Sequence, residues 1–130
     1  MIAVDTSVLI ATFINEPDAD RYRALLVGSR CIIGAPTLFE THLVLRGKNY
    51  PYTLEAVDLW LAEGDVTVIP FDRRHMALTR TAFDRFGRGR HPAGLNFGDC
   101  MAYAVAKAHD VPLLFKGDDF SRTDVRRPPV

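Results

Sequence analysis

LNFGDCMAYAVAKAHDVPLLFKGDDF, residues 95–120, is the stretch that indicates the fold. Asn96 is a good helix N-cap, and Asp99 falls at the third helical position, where a carboxylate can accept backbone N–H groups. Apolar residues then recur every three or four positions. The pattern therefore predicts a helix from about Phe97 to His109.

A buried strand is predicted directly after this helix. Asp110-Val111-Pro112 breaks the helix, and Leu113-Leu114-Phe115 is a wholly apolar run, typical of a strand buried on both faces of a parallel sheet. Asp118 and Asp119 follow the strand. In open α/β sheets, functional residues gather beyond the carboxyl ends of the strands. These two acids and Asp99 therefore outline an acidic site.

The rest of the chain alternates short apolar strands with pairs of helices. Strands are predicted at 2–4, 31–35 and 66–69, and helices from about 6, from 17 to 28, from 36, from 53 to 63 and from 73 to 86, the last capped by Asp72. The order is β-α-α-β-α-α-β-α-α-β. This order predicts an α/β fold with a parallel sheet of four strands and helices on both faces.

Composition sets broad limits on function. A chain of 130 residues is long enough for one domain with a real core, and its 16 basic and 16 acidic residues cancel, so only the local distribution of charge is informative. Cys31 and Cys100 lie in apolar runs, as buried reduced thiols do. No apolar stretch is long enough to span a membrane, and no leader is recognisable. We therefore expect a soluble, cytoplasmic protein.

Further polar residues stand where an α/β site would form. Asp5-Thr6-Ser7 follows the first strand, and Glu40 lies early in the helix after the second strand. Each also has an ordinary interpretation: one of the first three can cap the next helix, and Glu40 can be a solvated position. The sequence pattern alone leaves both interpretations open.

The acids can converge on one edge of the sheet. Packed carboxylates repel one another unless a cation neutralises them, so the set predicts a hard divalent metal held by oxygen ligands, Mg²⁺ or Mn²⁺. The candidate catalytic residues are Asp5, Glu40, Asp99, Asp118 and Asp119. Zinc motifs and phosphate-binding glycine motifs are absent from the sequence. Metal-assisted phosphodiester hydrolysis fits this set best.

Arginines are concentrated just before the helix that carries Asp99. The segment 73–92 contains six of them against a single acid, Asp84. Such a run is usually a solvated face, but next to an acidic site it can hold the phosphates of a nucleic acid. The candidates for RNA binding are Arg85, Arg88 and Arg90.

Four motifs in order resemble those of the PIN domain, and specifically of the VapC ribonuclease toxins of type II toxin-antitoxin systems. They are Asp5-Thr6-Ser7, Glu40 after Ala35-Pro36-Thr37, Leu95 to Cys100, and Lys116 to Phe120. The resemblance spans the chain. It implies a single PIN-like domain over residues 1–130, with a three-layer α/β/α fold and a central parallel sheet of four or five strands.

The resemblance also implies roles for individual residues. In the family an N-terminal Asp, a Glu on the helix after the second strand and an Asp opening a later helix form the metal site, which maps onto Asp5, Glu40 and Asp99. The fourth family acid corresponds to Asp118 or Asp119, and we favour Asp119 as the metal-shell residue. The predicted supporting residues are Thr6, Ser7 and Asn96.

Partners are implied as well. An RNA substrate and a cognate VapB antitoxin follow from the resemblance, and a basic side chain of the antitoxin's tail can compete with the metal for the acidic pocket. A homodimer is expected because apolar residues exceed the needs of one small core. Candidates for its surface are Phe13, Tyr22, Leu43 and Tyr52.

Three alternative functions fit the sequence less well. A phosphorylatable receiver domain has a similar length and a Lys after a late strand, but it needs a pair of acids after the first strand, where only Asp5 stands. A catalytically inactive binding module with a PIN-like fold is the second alternative. A dehalogenase-type phosphatase is disfavoured because Asp5-Thr6-Ser7 lacks the second acid of its DxD motif.

Overall fold

The computed structural model describes residues 1–129 and contains one parallel sheet of four strands. The strands are β1 (Ile2–Val4), β2 (Cys31–Gly34), β3 (Val66–Ile69) and β4 (Leu113–Leu114), in the order β3-β2-β1-β4. The register pairs Ala3 of β1 with Ile32 of β2 and Leu113 of β4. The predicted parallel sheet of four strands is confirmed.

Six helices connect the strands, in the predicted order. They are α1 (Thr6–Phe13), α2 (Ala19–Gly28), α3 (Ala35–Lys48), α4 (Thr53–Glu63), α5 (Arg73–Phe86) and α6 (Phe97–His109), with a short 3₁₀ turn at Phe120–Arg122. β2 ends one residue earlier than predicted because Ala35 already begins α3, with Pro36 in its first turn. Proline is well tolerated there because its missing N–H would have no helical partner.

The strand side chains divide between two helix layers. Because neighbouring residues of a strand point to opposite faces, Ala3, Ile32 and Leu113 pack with Phe86 of α5 and Tyr103 of α6. The other face carries the alternate strand residues, which pack with α1 and α2: Ile2, Val4, Cys31, Ile33 and Leu114. The α/β fold is therefore a three-layer α/β/α arrangement, as expected.

The order of the strands reverses at β1. From β1 the chain runs outward through β2 and β3 and then returns to the other side of β1 as β4. In an open α/β sheet such a reversal creates a crevice at the carboxyl ends of the two strands, and ligands bind in it. Asp5 follows β1 and the segment Lys116 to Asp119 follows β4, so both lie at this crevice.

Candidate active site

Asp5 is both a helix cap and a buried acid. Its Oδ2 accepts the backbone N–H of Ser7 at 3.0 Å and the Ser7 hydroxyl at 2.6 Å, and only 4% of the residue is exposed. The Ser7 hydroxyl oxygen in turn accepts the N–H of Lys116 at 3.0 Å. Ser7 therefore joins the end of β1 to the end of β4 and fixes the Asp5 carboxylate between them. The interpretation of Asp5 as the cap of α1 is confirmed.

Glu40 is held against the first turn of α6. The buried Thr6 hydroxyl donates to its Oε1 at 2.7 Å. On the other side, a Cβ atom placed on Gly98 would lie only 2.1 Å from its Oε2. The carboxylate therefore occupies the space that any side chain at position 98 would need. Glu40 is half-buried in this contact and is not a solvated position.

Asp99 completes a capping box at the start of α6. Its N–H donates to Asn96 Oδ1 at 2.9 Å, and its Oδ2 accepts the N–H of Asn96 at 3.1 Å. The predicted cap at Asn96 and the predicted bounds of the helix are confirmed. Asn96 therefore orients the Asp99 carboxylate at the helix end.

The pKa values show that these carboxylates share one electrostatic environment. Burial raises the pKa of Asp5 from 3.8 to about 6; the two Ser7 hydrogen bonds oppose this rise, and the charges of Asp99 and Glu40 add to it. Burial also raises the pKa of Asp99, against its hydrogen bond from Asn96, and the charges of Asp119 and Glu40 raise it further. We call Asp5, Glu40, Asp99 and Asp119 the acidic centre.

The two acids after β4 differ in their relation to the acidic centre. The charge of Asp119 acts on the pKa of Asp99, whereas Asp118 is not among the groups that shift it. The backbone oxygen of Asp118 instead accepts the Ser121 N–H at 3.1 Å, in the turn before the 3₁₀ helix. This difference favours Asp119 over Asp118 as the fourth acid.

The donor set fits a hard divalent cation by its chemistry. Within residues 1–129 no three acidic, histidine or cysteine side chains stand in a geometry that could hold a metal ion directly. Mg²⁺ characteristically takes one or two carboxylates and keeps several of its waters. The pKa values of Asp5 and Asp99 are raised by burial and by neighbouring carboxylates, and a cation would relieve that repulsion, so these groups suit that mode of binding.

Lys116 does not neutralise the acidic centre. Its Nζ lies 2.6 Å from Glu16 Oε2 and 3.0 Å from Asp18 Oδ1, in the connection between α1 and α2. These hydrogen bonds stabilise the charged ammonium group and so raise the pKa of Lys116. The positive charge is therefore engaged by Glu16 and Asp18. Nothing in the sequence pattern indicated this pairing, because the two acids lie about a hundred residues away along the chain.

The predicted RNA-binding arginines lie in different surroundings. Arg85 forms an ion pair with Asp124 at 3.6 Å and lies over the Phe86 ring. Arg88 lies close enough to Asp99 for its charge to lower the pKa of that carboxyl group. Arg90 lies over the Phe83 ring, 5.4 Å from its centroid. Arg88 is thus the arginine beside the acidic centre, whereas Arg85 is bound to the C-terminal segment.

The apolar residues expected at a dimer surface differ in how exposed they are. Tyr22 is 2% exposed and belongs to the core between the sheet and α2, so its assignment to a surface was wrong. Tyr22 lies three and four residues before Leu25 and Leu26, so the sequence pattern itself places it on the inner face of α2. Phe13 packs beside Trp60. Leu43 and Tyr52 are exposed.

Sequence reasoning missed two residues of this region, Phe97 and Gly98. Phe97 opens α6 with 83% of its surface exposed, and Gly98 provides the space for Glu40. A glycine in the first turn of a helix was the available signal, because glycine is unfavourable in helices unless close packing requires it.

Comparison with known proteins agrees with this geometry. The family model of the PIN domain matches residues 2–126. The chain belongs to the PIN-domain family. Ribonuclease VapC30 of Mycobacterium tuberculosis is 37% identical over 125 residues, covering 95% of both chains, and Ribonuclease VapC28 of the same organism is 41% identical over 126 residues, again covering 95% of both chains. The resemblance to the VapC group is confirmed.

Solved structures share the fold. The VapC20 toxin of Mycobacterium tuberculosis, described as cleaving the sarcin-ricin loop, superposes with a TM-score of 0.76 at 18% identity, covering 97% of this chain and 99% of that one. VapBC2 from Rickettsia felis, bound to a DNA fragment from its promoter, has a TM-score of 0.72 at 18% identity, covering 98% and 96%. These PIN-domain relatives support neither the receiver-domain hypothesis nor the inactive-module hypothesis.

Across residues 1–129, no helix has the length and apolar character that crossing a membrane requires.

Proposed function

We propose that this protein is a toxic, metal-dependent endoribonuclease of the VapC type, restrained by a VapB-type antitoxin. Its relatives over nearly the whole chain are named VapC ribonucleases. Its structural neighbours include toxin-antitoxin complexes. The function therefore rests on two independent comparisons and on the chemistry of the acidic centre.

The single observation that carries the proposal is the convergence of acids from separate elements at the crevice between β1 and β4. Asp5 follows β1, Glu40 lies on α3, Asp99 opens α6 and Asp119 follows β4. Burial raises the pKa of the Asp5 carboxyl group to about 6, which means that burying its ionised form destabilises the fold. A bound cation offsets this cost, which is why the arrangement suits catalysis on a polyanion.

We propose Mg²⁺ or Mn²⁺ as the cation, held at the acidic centre of Asp5, Glu40, Asp99 and Asp119 in part through its own waters. When bound, such an ion lowers the pKa of water and stabilises negative charge on a phosphodiester. Ser7 keeps the Asp5 carboxylate in place, and the Thr6 hydroxyl does the same for Glu40. Asn96 orients Asp99 through the capping box. With a pKa of about 6, Asp5 is mostly ionised at neutral pH and available to accept a proton or a cation.

The antitoxin is proposed to reach the acidic centre along α3. An apolar groove of about 370 Å³ runs between α3 and α4, and one of its lining residues, Phe39, directly precedes Glu40 and is 62% exposed. An extended segment that orders on binding can bury such a groove. A basic side chain of that segment would gain charge-assisted hydrogen bonds from the acidic centre and would exclude the metal.

Three further assignments belong to the proposal. The four strands share one sheet, which supports a single domain over residues 1–130. A homodimer is proposed on the exposed Leu43 and Tyr52. We place the protein in the cytoplasm, where its RNA substrate and a co-produced antitoxin would meet.

An RNA cleavage assay tests the proposal. The purified protein should cut RNA in the presence of Mg²⁺ or Mn²⁺, and sequencing of the new ends would define the sites. Excess chelator should stop cleavage, and adding the cognate antitoxin should stop it with the metal still present. Cleavage that persisted unchanged in chelator would contradict the metal assignment. Unimpaired growth of cells producing the protein without antitoxin would contradict the toxin assignment.

A further inference from the structure

Phe97 is an exposed aromatic residue in the first turn of α6, the turn that also carries Asp99 of the acidic centre. It stands between Asn96, which caps α6, and Gly98, which contacts Glu40, yet 83% of its surface is exposed. An aromatic ring left in water at such a place is typical of an interaction surface.

A second aromatic residue lies in the same depression. A shallow cavity of about 280 Å³ between α5 and α6 is lined by Thr79, Arg80, Phe83, Asp84, Phe97 and Cys100. Phe83 is 40% exposed. We call Phe83 and Phe97 the stacking platform.

Cations border this platform. Arg90 lies over one face of the Phe83 ring, so the more exposed Phe97 ring is the main stacking surface. Arg88 lies close enough to Asp99 for its charge to lower the pKa of that carboxyl group. Neither arginine forms an ion pair with a carboxylate in the part of the chain that the structure describes. Their loop is fixed beside α6, since the Arg88 N–H donates to the Leu95 oxygen at 3.0 Å and the Leu95 N–H to the Phe86 oxygen at 2.9 Å.

We propose that the stacking platform binds a nucleobase of single-stranded RNA, while Arg88 and Arg90 hold the phosphates between that base and the acidic centre. The inference rests on the proposed function and names the form of its substrate. Proteins that bind single strands combine aromatic rings with a cationic track for the backbone, and this surface has both. A paired duplex does not fit, because its base faces are covered by their neighbours.

The charge of the cavity suits a base rather than a phosphate. Asp84 is the only acid that lines the cavity. Its carboxylate repels phosphate, but it can accept hydrogen bonds from the amino groups of a base. Phosphates are therefore directed toward Arg88 and Arg90, and the base toward the cavity.

The helix geometry sets the distance between base and acids. Phe97 and Asp99 are two residues apart, so they project from nearly opposite sides of the first turn. An α-helix with its side chains is about 10–12 Å across. An RNA strand passing over the N-terminal end of α6 can therefore reach the platform and the acidic centre within a short stretch.

Binding measurements with substituted proteins test the platform. We suggest Phe97→Leu, which removes the ring, Phe97→Tyr, which keeps it, and Tyr50→Leu as a matched control. Tyr50 is also an exposed aromatic residue and lies beside Arg46, at the far end of α3 from Glu40. The probe is a short single-stranded RNA carrying 2-aminopurine, whose fluorescence falls when it stacks. An Asp99→Asn background protects the RNA from cleavage.

If the platform binds a base, Phe97→Leu should bind the RNA about tenfold or more weakly, because stacking of a base on an aromatic ring contributes at least that much affinity. Quenching of 2-aminopurine should be lost with it. Phe97→Tyr should restore both affinity and quenching, and Tyr50→Leu should change neither. Phe97→Leu should leave the salt dependence of binding unchanged, whereas Arg88→Gln should reduce its slope by about one unit.

Unchanged affinity and quenching in Phe97→Leu would overturn the inference. So would a result in which this substitution altered only the mass measured by light scattering, since the ring would then belong to a contact between copies. Failure of the parent protein to cut any RNA would count against the proposed function instead. The binding and quenching results would still decide on the platform.

Discussion

α5 and α6 begin with the same local motif and use it differently. Both helices open with a capping box, formed by Asp72 and His75 in α5 and by Asn96 and Asp99 in α6. In α5 the carboxylate is that of the N-cap, Asp72, whereas in α6 it is that of Asp99 at the third helical position; both accept backbone N–H at the positive end of a helix. The two carboxylates nevertheless differ in the direction of their pKa shifts.

Asp72 lies in water and is stabilised as an anion. The N–H groups of His75 and Arg74 and the ring of His75 contact its Oδ1, and these hydrogen bonds lower its pKa. Asp99 accepts one N–H, is half-buried and faces other acids, so its pKa is raised. The capping motif therefore indicates where a carboxylate stands, and the surrounding elements decide whether it is structural or belongs to a site.

The largest contrast should appear in catalysis. Asp99→Asn preserves the volume and a cap acceptor but removes a charge from the acidic centre, so RNA cleavage should fall by about a hundredfold to a thousandfold. Asp72→Asn is the matched substitution in the other box and should leave cleavage unchanged. Single-turnover cleavage rates of the two variants decide this. Equal rates would remove the functional distinction between the two boxes.

A second difference lies one residue before Asp99. The corresponding position of α5 carries Arg74, whereas α6 has Gly98 because the Glu40 carboxylate fills the space of a side chain. Gly98→Ala should displace Glu40 and lower cleavage by about tenfold to a hundredfold, since misplacing a catalytic group by about 1 Å is that costly.

Gly47→Ala provides a control for this substitution. Gly47 also lies in a helix, and a Cβ atom there would meet nothing within 4 Å. The control should keep its activity and gain about 0.5–1 kcal/mol of stability from the better helix propensity of alanine. A Gly98→Ala protein as active as this control would show that the position of Glu40 is not critical.

The raised pKa of Asp5 predicts a stability effect with a defined pH window. The folded protein binds this proton more tightly than the unfolded chain, because the pKa is about 6 rather than 3.8. Ionisation of Asp5 therefore destabilises the metal-free fold above about pH 6, and this effect disappears below about pH 4. Asp5→Asn should raise the free energy of unfolding at neutral pH by at most about 3 kcal/mol.

Denaturant unfolding in chelator, at neutral pH and near pH 4, measures this effect. The difference between Asp5→Asn and the parent should shrink as the pH falls. A variant less stable than the parent at neutral pH would show that the carboxylate stabilises the fold and is not strained by burial.

The smallest effect is expected at Asp72 itself. Asp72→Ala removes the acceptor for two backbone N–H groups at the start of α5, so the unfolding midpoint should fall slightly. This sign is opposite to that expected for Asp5→Asn, and cleavage should not change. Thermal unfolding monitored by circular dichroism measures the shift. A stabilised Asp72→Ala protein would contradict the structural role of the cap.

Local signals in the sequence were sufficient for the fold. The caps at Asn96 and Asp72 and the β-branched run of β3 act between near neighbours, so the helices and strands were predicted in their observed order. The positions of Asp5, Glu40 and Asp99 at strand ends and in early helix turns also follow from chain order. Their convergence needed only the rule that parallel strands end at one edge.

The features of the site that the sequence did not predict depend on contacts between distant segments. The contact of Gly98 with Glu40 and the pairing of Arg85 with Asp124 arise only when the elements pack. No pattern of neighbouring residues encodes them. The choice between Asp118 and Asp119 likewise depends on how the chain turns after β4, which adjacent identical residues do not reveal.

A calorimetric titration with Mn²⁺ or Mg²⁺ tests the central claim most directly. The acidic centre at the start of α6 should bind the cation, and the capping box of α5 should contribute nothing. The parent and Asp72→Asn should therefore bind with the same affinity, and Asp99→Asn should bind about tenfold or more weakly. Equal affinity in all three proteins would contradict the assignment of the acidic centre as the metal site.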